Sequence, residues 1–189
     1  MKRTMSWDTY TKIFSILFAL PLLSIPVITS RFFSLFFEIR YYFHDHWPIF
    51  ILLGLVLTIL GIKVGRLALA QNKIRGLAKG NYKLITTGIY SLMRHPLYSA
   101  WALVYIGLSF ICDSLIAIIL IPFVLIIFNI KSFLEEKLLL LPKFGDNYLL
   151  YKEEVENKLF PPPYNYVLII IFILVGYIGG LNLELIVGI

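Results

Sequence analysis

The sequence predicts an all-α fold, a polytopic transmembrane helical bundle of about five spans with a tight helical hairpin near 96–130. Three observations predict it. Apolar residues make up 59% of the 189 residues and fall in long blocks rather than short periodic stripes, as helices that face lipid require. Only 15% of the residues are charged, against about a quarter in a soluble domain. The cations behind the formal net charge of +6 sit in short segments between apolar blocks, where loops anchor the cytoplasmic side of a membrane protein. A nucleic-acid binder of this charge would carry a basic face on a polar domain, so no nucleic-acid partner is expected. One membrane domain, 1–189, is expected: two N-terminal spans in 1–70, a core in 83–163 and a C-terminal span in 164–189.

The first apolar block runs from Ile13 to about Thr29, behind a head carrying Lys2, Arg3 and Lys12. Pro21 and Pro26 interrupt it and no small-x-small cleavage site follows, so it reads as a retained helix rather than a signal peptide. The second begins near Trp47-Pro48, an interfacial anchor and a first-turn proline, and ends about Leu69. Lys63 and Arg66 share one face of its last third, and are expected to point into the bundle or snorkel to the surface. The polar stretch 71–94 holds the turn signals Gly80-Asn81 and Thr87-Gly88. The third and fourth blocks, Pro96 to Ile111 and Leu115 to Ile130, are separated only by Cys112-Asp113-Ser114, which makes the hairpin. Beyond Lys131 the chain is charged and aromatic by turns until Pro161-Pro162-Pro163 stops any helix, and a last block starts at Tyr166.

Alternate loops of such a bundle lie on opposite sides. With the N-terminus inside, the basic head, 71–95 and 131–165 share the cytoplasmic face, and only Arg31 and Arg40 fall outside. The charge bias therefore predicts N-terminus in and C-terminus out. The lone Cys112 allows no intrachain disulfide. His44-Asp45-His46 lacks further ligands to complete a metal site, and no metal is expected.

Two cytoplasmic clusters bracket the hairpin. At its start Arg94-His95 precede Pro96 and Tyr98, beside helix-terminal N–H groups suited to an anion such as a carboxylate. At its end come Lys131, Glu135-Glu136 and then Tyr148 and Tyr151. A tight hairpin makes these neighbours, so cationic and imidazole donors meet paired carboxylates at one membrane surface. S-adenosylmethionine requires that mix: its carboxylate seeks cations or amides, its ammonium and ribose hydroxyls seek carboxylates, and its adenine seeks an apolar slot. Singly these residues have plainer readings, with Arg94 a topogenic charge, Lys131 and Glu135 a helix-surface pair, and the tyrosines headgroup anchors.

Together they carry a resemblance. Leu84-Ile85-x-x-Gly88-x-Tyr90, then Arg94-His95-Pro96-x-Tyr98, a hairpin, Glu135-Glu136 and Phe144-Gly145-x-x-Tyr148-x-x-Tyr151 occur in order between Lys83 and Pro163. This resembles the isoprenylcysteine carboxyl methyltransferase and phospholipid methyltransferase superfamily. The resemblance implies a membrane methyltransferase with S-adenosylmethionine in a cytoplasmic-side pocket and a membrane lipid or prenylated substrate entering from the bilayer. On this chain it implies that Tyr90, His95, Pro96, Tyr98, Glu135, Glu136 and Tyr148 hold the cofactor. Arg94, Lys131 and Glu136 are its catalytic candidates. Lys131 stands where relatives of the prenylcysteine enzymes often carry arginine and cannot make the same bidentate fork, which weakens a prenylcysteine carboxylate as acceptor. Ser99-Ala100 stands where glycine is often seen.

Two other classes compete. A sterol-reductase-type enzyme using NADPH shares a His-Pro-x-Tyr-like element, but the Glu-Glu pair and the tyrosine tail fit the methyltransferases better. A non-enzymatic transporter or assembly protein would show broken mid-membrane helices in two related halves, and the sequence has none. The compact size and lack of an organelle address point to a prokaryotic inner membrane.

Overall fold

The computed structural model describes residues 20–36, 46–74 and 83–187. The expected start of the first block at Ile13, His44-Asp45 and the Gly80-Asn81 turn lie outside them. Within the described residues the chain is helical, with no strand. In order it forms α1 (Leu20–Phe36), α2 (Trp47–Ile74), a 3₁₀ turn (Gly88–Ser91), α3 (Pro96–Ile111) and α4 (Leu115–Glu135). A π turn (Glu136–Leu140) then leads through α5 (Leu141–Phe144) and α6 (Asp146–Glu154) to α7 (Tyr164–Val187).

Two helical stretches, Trp47–Asn72 and Leu115–Phe144, are long and apolar enough to cross a membrane, while Leu20–Ser30, Pro96–Ile111 and Tyr164–Ile178 are shorter apolar helices. Leu52, Leu55, Val56 and Ile59 on α2, and Ile119, Phe123, Ile126 and Ile130 on α4, are exposed. Continuous apolar faces of this kind are stable against lipid rather than water. Lys63 and Arg66 on α2 are exposed, so of the two expected arrangements the structure takes the one that keeps both cations out of the bundle.

The closest helix packing is between α2 and α3. A Cβ on Gly54 would meet the Gly107 carbonyl at 2.6 Å, and one on Gly107 would meet Thr58 Oγ1 at 2.3 Å. Gly61 is equally pressed, 2.9 Å from the Ala100 carbonyl. Gly54 and Gly61, seven residues apart on α2, face Gly107 and Ala100 on α3, and Ala68, seven further on, is buried. Small residues at that spacing let two apolar backbones touch, where dispersion rather than water expulsion drives association.

The α3–α4 hairpin forms as the sequence predicts. Asp113 takes the left-handed conformation (φ 47) and Ser114 caps α4 by accepting from the Ala117 N–H at 3.2 Å. Thr29 on α1 hydrogen-bonds the same Ser114 hydroxyl. Tyr105, Ile106 and Phe110 of α3 pack on Ala117, Ile121, Val124 and Phe128 of α4, with Val175 of α7. Helix α4 continues past the end of its apolar block at Ile130 by more than a turn, and this extension carries Glu135 to the start of α3. Pro161-Pro162-Pro163 separates α6 from α7 as expected.

Candidate functional site

Pro96 occupies the first turn of α3 and His95 its N-cap, which fixes where the preceding side chains emerge. The Arg94 and His95 N–H groups donate to the Asn157 and Lys158 carbonyls at 3.0 and 2.9 Å, and Ser99 Oγ donates to the Leu159 carbonyl at 2.7 Å. Segment 155–159, which follows the end of α6 at Glu154, is thereby clipped along the start of α3. The N–H groups of Arg94 and His95 are spent on this clip, and those of Tyr98 and Ser99 in the first turn of α3 donate to the His95 carbonyl.

The side chains complete it. Arg94, 6% exposed, donates through Nε to Glu136 Oε1 at 2.9 Å. A terminal nitrogen of the same guanidinium donates to the Val155 and Glu156 carbonyls at 2.5 and 2.8 Å. His95 Nε2 lies 3.0 Å from the same Glu136 Oε1, and its Nδ1 lies 3.9 Å from Glu135 Oε2. The Tyr98 hydroxyl donates to Glu135 Oε2 at 2.5 Å. The His95 and Tyr98 rings stack, 5.6 Å between centres, and Tyr98 stacks on Phe128. A regular helix points adjacent residues about 100° apart. Glu135 ends the regular part of α4 and Glu136 opens the π turn, and both carboxylates reach the His95 ring. Short π segments recur at functional positions for this reason.

Tyr90 and Tyr148 lie at the periphery of the cluster. The Tyr151 hydroxyl donates to the Tyr90 carbonyl at 2.7 Å and the Tyr90 hydroxyl to Asn72 Oδ1 at 3.0 Å, tying α6 and α2 to the 3₁₀ turn. Gly88 in that turn has φ +66 and lies against the Gln71 amide, so both conformation and space require glycine there. Burial pushes the Tyr90 phenol up to about 12. Burial raises Tyr151 as well, and raises Tyr148 with the Glu136 carboxylate adding to the effect, so these phenols are neutral. Tyr148 is 2% exposed, and its hydroxyl lies near the Glu136 carboxylate without making a well-formed hydrogen bond to any of the described residues. It lines a cavity of about 190 Å³ with Glu136, Phe133 and Lys137. A hydroxyl so placed beside a cavity marks a place where a polar ligand or water would complete the bonding.

Of the residues singled out from sequence, Arg94, His95, Tyr98, Glu135 and Glu136 converge in one cluster. Lys131 sits partly buried on α4 one turn before Glu135. Sequence reasoning missed segment 156–159, which contributes through backbone carbonyls that leave no side-chain signature. It also missed Asn72, and noted Ser99 only as standing where glycine is often seen. Among the described residues no group of three His, Cys, Asp or Glu could hold a metal ion.

Residues 49–146, which contain all of α2 but its first two residues, the Arg94-His95-Pro96 start of α3, the hairpin and both glutamates, match the phospholipid methyltransferase family. The chain belongs to this family. Two curated relatives named "Probable protein-S-isoprenylcysteine O-methyltransferase", from Oryza sativa subsp. indica and subsp. japonica, are each 31% identical to it over 112 residues. That alignment covers 56% of this chain and 59% of either relative, so the chain spans about three fifths of the length of the relatives it matches. No solved structure matches the chain. The family match ends at Asp146, so the clipped segment and Tyr148 lie beyond it, although the segment is bonded to Arg94 and Tyr148 shares a cavity with Glu136.

Proposed function

We propose that this protein transfers a methyl group from S-adenosylmethionine to a lipophilic or lipid-linked acceptor, isoprenylcysteine carboxylate-like or phospholipid-like, at a membrane surface. The observation that carries the reading is the convergence of His95, Tyr98, Glu135 and Glu136 at the start of the hairpin, with the Tyr148 hydroxyl beside Glu136. The donor set fits the cofactor. Glu135 and Glu136 suit ammonium and ribose hydroxyls, the neutral Tyr148 hydroxyl suits a carboxylate or hydroxyl, and the His95–Tyr98–Phe128 stack supplies an aromatic wall. Tyr90 and Pro96 hold the turn and helix start from which these groups project.

When bound, S-adenosylmethionine supplies an electrophilic methyl on a sulfonium, so in-line positioning is the protein's main task. Arg94 serves this as a positioning residue, holding Glu136 and segment 155–156 in register. Lys131 and Glu136 are the candidates for orienting the acceptor or taking its proton. A carboxylate acceptor needs no base, whereas an amine or hydroxyl acceptor requires one. The charge distribution supports five spans with N-terminus in and C-terminus out, a cytoplasmic-side pocket and a prokaryotic inner membrane.

Calorimetric titration of the detergent-purified protein with S-adenosylhomocysteine, with NADPH in parallel, tests the reading. Saturable binding of S-adenosylhomocysteine alone, lost in Glu135→Gln with membrane insertion intact, is the expected result. Binding of NADPH alone, or of neither ligand by folded protein, overturns it.

A further inference from the structure

The apolar helical run Leu115–Phe144 is 30 residues long, about 45 Å at the helical rise. A bilayer's hydrocarbon core is about 30 Å thick and takes roughly 20 residues. Roughly ten residues of the run are therefore surplus. Residues 115–134 carry one charged side chain, Lys131, so the surplus lies at the other end, from Glu135 to Phe144, in the π turn and α5.

This surplus has two unlike sides. Glu136 turns inward to Arg94 and His95, and Leu140 and Phe144 pack on the buried Tyr148, Tyr151 and Val155. Leu138, Leu139 and Leu141 are exposed, Leu138 by 63%, and so are Lys137 and Lys143. No acidic residue stands between the two lysines. The next carboxylate, Asp146, comes only after the chain turns at Gly145, where φ is 53. The exposed leucines continue the outer face of α4, since Phe133 and Leu134 are exposed as well. They lie about 6–10 Å past Leu134 along the run, a distance that falls in the headgroup region rather than in bulk water. Leucines flanked by lysines are what such a layer accommodates, with the apolar side chains towards the acyl chains and the ammonium groups among the headgroups.

We propose that residues 137–143 form an interfacial seat for anionic lipids, in which Leu138, Leu139 and Leu141 dip towards the acyl chains while Lys137 and Lys143 bind headgroups of the surrounding leaflet. These are boundary lipids: they enter no cavity and accept no methyl group. Lys137 and Leu141 also line the cavity at Glu136 and Tyr148, so the seat fixes the depth of that cavity at the membrane surface. The inference goes beyond the methyl-transfer reading and stands without it, since it uses only the length of the run, its exposed leucines and its charges.

The test uses the full chain in phosphatidylcholine nanodiscs. Cys112, the single cysteine, is replaced by serine, and a nitroxide is attached through Leu138→Cys or, for comparison, through Glu153→Cys on the exposed side of α6. Spin relaxation by oxygen, which concentrates in hydrocarbon, and by a water-soluble nickel chelate reports depth. The label at 138 should favour oxygen and the label at 153 the chelate. Equal chelate access at both positions would overturn the seat and assign the leucines to water or to a protein partner. Headgroup choice is read as broadening of the 138 label by phosphatidylglycerol or phosphatidylcholine carrying a second nitroxide on the headgroup, each doped at the same low level. Phosphatidylglycerol should be enriched about fivefold, the scale of one lysine at an anionic leaflet, and less so in high salt. Lys137→Gln with Lys143→Gln should abolish the preference, and Lys137→Arg with Lys143→Arg should keep it. Lys63→Gln with Arg66→Gln, which removes two exposed cations from α2, should also keep it. Equal broadening by the two lipids, or equal loss in both charge-removing pairs, would overturn the role of Lys137 and Lys143. Titration of the same samples with S-adenosylhomocysteine separates the two ideas, because a lipid preference without cofactor binding keeps the seat and removes the methyl-transfer reading.

Discussion

Arg94 is the residue whose loss should be felt most. Its guanidinium is almost wholly buried and supports three acceptors at once, the Glu136 carboxylate and the Val155 and Glu156 carbonyls. Arg94→Met keeps most of the volume but leaves a buried carboxylate with His95 as its remaining side-chain partner from the cluster, and strands two carbonyls. Removing one member of a buried ion pair costs about 3–5 kcal/mol, mostly as the penalty of the charge left behind. Because that penalty resides on Glu136, Glu136→Gln placed on top should recover part of it, giving a coupling of about 1–3 kcal/mol between the sites. The assay is thermal unfolding in detergent together with trypsin cleavage after Lys158, which reports release of the clipped segment. The single variant should unfold earlier and be cut faster, and the double variant should be less impaired than the sum of the two singles. Unchanged cleavage in Arg94→Met, or strict additivity in the double variant, would refute the reasoning.

Tyr148→Phe should leave thermal stability unchanged or slightly raised, because the hydroxyl removed makes no well-formed hydrogen bond to the described residues. It should weaken S-adenosylhomocysteine binding in calorimetry, and an equal loss of stability would show that the hydroxyl serves the fold instead. Gly107→Ala places a methyl 2.5 Å from the Gly54 carbonyl and should cost about 1–3 kcal/mol through overpacking, read as a lower midpoint of thermal unfolding. A neutral result would mean that α2 and α3 separate freely. The Tyr90 phenol is raised from 10.0 to about 12, chiefly by burial. Its neutral form is therefore favoured by folding, and the associated stability is complete below pH 10 and lost as pH climbs towards 12. Unfolding midpoints between pH 9 and 12 should fall more steeply in the wild type than in Tyr90→Phe, and parallel curves would contradict that burial.

The order of apolar blocks, the hairpin turn at Cys112-Asp113-Ser114 and the triple-proline break between α6 and α7 could be read directly, because each depends on local chain chemistry: hydrophobic run length, a capping serine, rings that cannot continue a helix. The convergence of Arg94 and His95 with Glu135 and Glu136 could be anticipated for a related reason, since a turn this short leaves the two far ends of the hairpin nowhere else to go. Helix α4 runs five residues beyond its apolar block, as hydropathy falls at Lys131 while backbone hydrogen bonding continues through Glu135.

What Arg94 does was not legible. A cation before a helix suggests an anion site, yet here its partners are a carboxylate and carbonyls drawn from residues 42 to 62 positions away. Carbonyls are present at every residue, so composition gives no hint of which will be recruited. The placing of the Tyr148 hydroxyl at a cavity beside Glu136 belongs to the same category. The sequence by itself determined which residue types could do chemistry and that they gather at one end of the hairpin. Only the tertiary structure decided which of their hydrogen bonds are spent on holding segment 155–159 and which remain for a ligand, because that division depends on distances between chain segments that no local preference encodes.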